Sequence, residues 1–298
     1  MHVISRHLDN ALVNPVMTSM RRLDLIYASA LGFLTPQGVL GGCRRSEWYR
    51  MSGFKKERPE TPRAMRVAMY GGACGDCEVE TAKRARVYVD DEVAVLDWEH
   101  GISGRIDLII LDPEAQTNPL IGIELKSVQG YGGKGLCVPG YNGVFKPRDK
   151  DLAQASFYAH FYSAIKTWAI RYIDRGMGHT HDQPLVILDD GSISANNTLT
   201  GRNISELYAW TQSVRDCLAA GTPPDKDFNL LYSKDMCKAK AHAGEFAKTD
   251  TDKALRGHKL VKGDWQCRYC NYVHSCNQGV VHPYDFTTQS ALDYFLKK

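Results

Sequence analysis

The chain has 298 residues, 43% of them hydrophobic and 24% charged, with a formal net charge of +3. That balance fits a globular protein with a substantial core in one elaborated domain or two, and +3 is too small to argue by itself for a nucleic-acid partner. No apolar run is long enough to span a bilayer as a helix and no secretory apolar region follows the start, which leads to the expectation of a cytoplasmic protein without a membrane partner. Nine Cys without a secretory signal argue against a disulfide framework and for metal ligation by some of them.

In chain order, the apolar positions Leu23, Ile26, Ala30 and Phe33 predict a helix ending near Gly32, before a break at Thr35-Pro36-Gln37-Gly38. Cys43 then opens a basic, aromatic helical turn over residues 44–50. Residues 44–66 hold eight Lys/Arg against three Glu, a run that could face phosphates. A second helix is expected toward Glu80, with a bend or close approach where Gly71, Gly72 and Gly75 interrupt it. Residues 85–96 alternate like a strand through Val87, Val89, Val93 and Val95. Two apolar strands follow, residues 106–111 and 120–125, joined by a turn holding Asp112-Pro113 and Asn118-Pro119. Together these strands predict a mainly antiparallel sheet. Residues 129–149, rich in Gly, Tyr and Lys, read as a long substrate-facing loop. A strong helix is predicted over 151–168 with Asp151 as a possible cap; on it Gln154 and Tyr158 share a face, extended by Tyr162. A short buried strand over 184–188 and an amphipathic helix over 204–220 come next. Residues 225–262 are polar and basic, eight Lys/Arg against four acids from Lys234 onward, without a clear order.

Asp107 interrupts the first apolar strand, and Glu124 and Lys126 the second. Residues two apart on a strand share a face, so Glu124 and Lys126 project together, and a neighbouring strand can bring Asp107 to them. Two carboxylates and an ammonium at the end of an apolar sheet are costly unless they bind a cation or each other. Near the C-terminus, Cys267-x-x-Cys270 puts two thiolates on one turn, and Cys276 adds a third. Cys74-x-x-Cys77 completes a C-x-x-C…C-x-x-C pattern with Cys267 and Cys270, which is also how a structural zinc site reads. Cys137 and Cys217 read as simple thiols, and Cys237 as a spare ligand.

The Asp107…Glu124-x-Lys126 string resembles the PD-(D/E)XK nuclease superfamily. The full order is Cys43 with its basic, aromatic turn, then that string, then Gln154-x-x-x-Tyr158, then Cys267, Cys270 and Cys276. This order is similar to the iron–sulfur exonucleases of the RecB-like group, which include the CRISPR-associated exonuclease family. The resemblance spans Cys43 to Cys276. It implies an α/β (α+β) fold with a restriction-endonuclease-like mixed sheet flanked by helices. The segments would be an N-terminal helical segment over 1–60, a nuclease core over 61–190 and a C-terminal helical region over 191–298, forming one structural unit. It also implies a four-iron four-sulfur cluster on Cys43, Cys267, Cys270 and Cys276 that joins the chain ends. Asp107, Glu124 and the Leu125 carbonyl would hold Mg²⁺ or Mn²⁺, and Lys126 would position the attacking water or stabilise charge. Gln154 and Tyr158 would contact DNA or Lys126, while Arg44 and Arg45 would track phosphates. The relatives' metal-ligating His is missing here; Asp76, Glu78 or Glu80 could replace it, with Glu78 slightly preferred. The function implied is a metal-dependent deoxyribonuclease, an exonuclease on DNA ends, working with nuclease, helicase or CRISPR adaptation proteins. The competing class is a non-catalytic DNA-end-binding or adaptor protein with a structural zinc site.

Overall fold

A computed structural model describes residues 24–58, 61–137, 146–246, 248–258, 260 and 263–277, the side chains of 131–134 excepted. Its centre is a mixed sheet of eight strands among the described residues. They are β1 (Ile26–Tyr27), β4 (Tyr88–Asp97), β5 (Ile102–Leu111), β6 (Leu120–Val128), β7 (Thr167–Asp174), β8 (Thr180–Ile187), β9 (Ser192–Ala195) and β10 (Thr198–Asn203). The order is β1-β5-β6-β7-β8-β9-β10, with β4 also on β5; β1–β5 and β6–β7 are parallel and the rest antiparallel. β2 (Gly32–Thr35) and β3 (Gly38–Gly41) form a separate hairpin.

Helices cover both faces. On one lie α4 (Asp149–Phe161) and α5 (Ile204–Ala219), packed with the β2–β3 hairpin around a core that includes Phe33, Ile106, Phe157, Ile170 and Trp210. α5 starts at a capping box, with Asn203 and Glu206 exchanging hydrogen bonds with each other's backbone. On the other face α2 (Pro62–Arg84) lays Val79 and Ala82 over Leu108, Ile123 and Leu125. Further helices are α1 (Arg44–Met51), α3 (Gly130–Cys137), α6 (Lys234–His242), α7 (Lys248–Leu255), α8 (Trp265–Arg268) and α9 (Val273–Cys276). Among the described residues no helix is long and apolar enough to cross a membrane.

Four expectations are corrected. The helix predicted before Gly32 is β1, one 3-10 turn (Ala28–Ala30) and the start of β2. Its three-to-four spacing arises because the chain folds back on itself: a Cβ on Gly42 would stand 1.8 Å from the Ala30 carbonyl oxygen. α2 runs unbroken through its glycines, without the bend; the close approach holds at Gly71, where a Cβ would lie 3.2 Å from Ser127 Oγ, but not at Gly72 or Gly75, which would meet nothing within 4 Å. Part of the predicted 129–149 loop is α3, while residues 138–145 lie outside those described. The helix predicted to reach Trp168 ends at Phe161, and Trp168 belongs to β7. Trp168 pairs in register with Gly122, whose missing side chain makes room for the indole; a Cβ there would lie 2.5 Å from the ring. Tertiary packing overrides local helix propensity at that point.

Candidate active site and cysteine cavity

β4 occupies one edge of β5 along most of its length, so β1 and β6 share the other edge. β1 pairs with Ile102 and Ser103, whereas β6 pairs with Leu108 to Leu111. The stretch between them is a fork in the sheet, and a buried amide left there without an acceptor would be destabilising. Two side chains fill the gap. The Arg105 N–H donates to the Tyr158 hydroxyl (3.1 Å), and the Leu125 N–H donates to Asp107 Oδ2 (2.7 Å).

The register brings Asp107 beside Glu124, as the strand pattern predicts. Lys126 donates to Glu124 Oε1 and to Gln154 Oε1 (3.0 Å), and Gln154 Nε2 donates to Tyr158 (3.3 Å). The row Glu124–Lys126–Gln154–Tyr158 therefore runs from β6 to α4. Glu124 is 1% exposed, and its Oε2 has no hydrogen-bond partner among the described residues. Burial, opposed by Lys126 and reinforced by Asp107, pushes its carboxyl up to about 8. Asp107 is raised too, by burial first. Burial alone would lower Lys126, but Glu124, Asp151 and Asp107 hold its ammonium above the ordinary value. The orphaned Glu124 oxygen beside a second carboxylate fits a hard divalent cation.

Tyr158 and Gln154 are buried. Of their two expected roles, the contact with Lys126 is made by Gln154, with Tyr158 behind it, and Gln154 also lines the clefts at the row. Arg44 is likewise committed: its Nε and Nη2 donate to Asp227 (2.9 and 2.6 Å) and its Nη1 to Ser213 (2.8 Å). It ties α1 to α5 and to the chain after it. Glu78 pairs with Arg171 (2.9 Å). Arg171 is the register partner of Leu125 and so faces away from Glu124. Glu78 is therefore on the wrong side of the sheet to replace the missing His; Asp76 and Glu80 are exposed on the same helix.

Asp151, a possible cap by its place in the sequence, does more. Buried in the first turn of α4, it accepts from the Tyr172 hydroxyl (2.8 Å) and from Arg148 Nε (2.6 Å). The N-cap is Arg148. The signal was available: Asp151 stands one helical turn before Gln154, on the face that meets Lys126. Two clefts meet at the row, one of about 360 Å³ containing Asp107 and one of about 690 Å³ containing Lys126; Ser29 and Gln154 line both.

Cys43, Cys267, Cys270 and Cys276 line one cavity together with Arg45, Lys226 and Asp227. Residues 42–57 and 263–277 are brought together here by ordinary contacts. Glu57 accepts from the His274 and Ser275 N–H groups (2.7 Å each), Tyr49 stacks on Tyr272, and the Trp210 indole donates to the Gly42 carbonyl (3.0 Å). Burial followed by Asp227 raises the Cys43 thiol, and burial followed by Cys270 and Cys276 pushes Cys267 up to about 12. Among the described residues no three His, Cys, Asp or Glu side chains converge closely enough for a single ion. A polynuclear cluster spaces its thiolates more widely than one ion does, and four thiols lining one cavity, Cys267 buried and the other three half-buried, fit such a group. Cys74 and Cys77 stand on α2 and do not line this cavity.

No known protein family matches the chain, and no curated protein matches it. Among solved structures, one described as the crystal structure of SSO0001 aligns over 94% of this chain and 98% of that one, at 14% identity and a TM-score of 0.47.

Proposed function

We propose that the chain is a metal-dependent deoxyribonuclease, an exonuclease that hydrolyses phosphodiester bonds at DNA ends. The observation that carries this reading is the sheet fork, where Glu124 is buried with one oxygen unpartnered, next to Asp107 and a braced Lys126. Asp107, Glu124 and the Leu125 carbonyl would hold Mg²⁺ or Mn²⁺, which supplies Lewis acidity and a more acidic water. Lys126, held protonated by Glu124, Asp151 and Asp107, would stabilise the negative charge that grows on the phosphate. Gln154 fixes that ammonium, and Tyr158 fixes Gln154. A four-iron four-sulfur cluster on Cys43, Cys267, Cys270 and Cys276 would be structural, since hydrolysis moves no electrons.

End-labelled DNA incubated with Mn²⁺ tests the reading. Wild type should cleave, EDTA should stop it, and Asp107→Asn or Glu124→Gln should each lower the rate by at least about a hundredfold while DNA is still bound. Wild-type binding without any cleavage would replace this reading by that of a DNA-end adaptor.

A further inference from the structure

The larger cleft has a wall that the reactive row does not use. Three consecutive residues of α8 divide between two spaces: Trp265 lines the cleft, Cys267 lines the cysteine cavity, and Gln266 lines both. Trp265 is 54% exposed, a costly position for so large an apolar ring. It is held there by structure. Asp264, just before it, accepts from the Asn229 N–H (2.6 Å) and the Tyr232 hydroxyl (2.5 Å).

The same cleft carries three cations, Lys126, Arg148 and Lys150. Of its two acids, Asp151 is committed to Arg148 and Tyr172, and Asp149 stands in the first turn of α4. Burial lowers the Lys150 ammonium, and against the pull of Asp151 and Glu47 both Lys126 and Arg148 lower it further. Lys126 and Arg148 are already paired with Glu124 and Asp151, so Lys150 is, among the described residues, the cation of this cleft left to meet an anion.

We propose that Trp265 is the stacking platform for an unpaired base whose phosphate lies against Lys150, so that this cleft is a nucleotide subsite beside the reactive row. This rests on the nuclease reading. An exposed indole offers a face that any base can use, and its affinity is independent of sequence. Gln266 makes the platform an outgrowth of the cysteine segment.

The test is the affinity of the full chain for a fluorescein-labelled oligothymidylate, with Ca²⁺ replacing Mg²⁺. Trp265→Ala should weaken binding roughly tenfold, and Trp265→Phe should restore most of it. A matching oligomer of abasic sites separates stacking from mere support. Wild type should lose affinity for it, whereas Trp265→Ala should bind both oligomers alike. Unchanged affinity in Trp265→Ala, or an equal loss on both oligomers, would overturn the subsite while leaving the nuclease reading intact. A wild type that neither binds nor cleaves DNA would overturn both.

Discussion

Glu124 is a carboxylate in a position where charge is poorly tolerated, and its proton is the most informative one in the molecule. With the carboxyl raised from 4.5 to about 8, the folded state keeps a proton that the unfolded chain releases. The stability this contributes is complete below about pH 4.5 and is lost as pH rises through about 8, the reverse of a salt-bridged acid. Urea midpoints of metal-free protein should therefore fall across that window, and Glu124→Gln should flatten the slope. A cation must displace the same proton, so Mn²⁺ affinity should rise by up to about tenfold per pH unit below 8, read by calorimetry. A pH-independent affinity would place the cation elsewhere. Asp107, Glu124 and Lys126 were legible in the sequence because a charged residue inside an apolar strand violates the period-two pattern. Glu78 was misread because one sequence does not reveal which face of a sheet a helix covers.

At the scale of elements, Tyr158 joins α4 to β5. Its hydroxyl accepts from the Arg105 amide and from Gln154. Gly104 leaves it room, since a Cβ there would lie 2.4 Å from that oxygen. Tyr158→Phe should cost about 1–2 kcal/mol through the stranded N–H, and should slow cleavage about tenfold by loosening the Gln154 brace on Lys126. DNA affinity should stay constant, as measured by polarisation; a fall in affinity at normal stability would return Tyr158 to the DNA. The four-residue spacing of Gln154 and Tyr158 was readable because α4 is a regular helix. Its end was not, because Trp168 is decided by Gly122, 46 positions earlier on another strand. The β1–β3 region failed for a related reason. Apolar positions three and four apart mimic a helix wherever a short chain reverses over glycine.

For the whole molecule, the question is what holds residues 263–277 against α1. α8 and α9 have four residues each, far too short to be stable alone. Against α1 and the residues after it they are held by hydrogen bonds to Glu57, one ring stack on Tyr49 and the four-cysteine cavity, and elsewhere by Asp264 and the contact of Cys267 and Val273 with Leu230. A cluster bridging Cys43 to Cys267 would close a loop of more than two hundred residues. A cross-link of that span removes about 5 kcal/mol of unfolded-chain entropy, if cluster thiolates act as a disulfide does. Cys43→Ala and Cys270→Ala should each lose the brown colour and the iron, and should unfold roughly 10 °C lower in an anaerobic melt. Cys74→Ala and Cys77→Ala should leave iron and melting unchanged, because neither residue lines the cavity. Zinc without iron in the purified protein, lost on replacing Cys74, would sink the cluster. It would leave Asp107, Glu124 and Lys126 as a site independent of how residues 263–277 are held against α1.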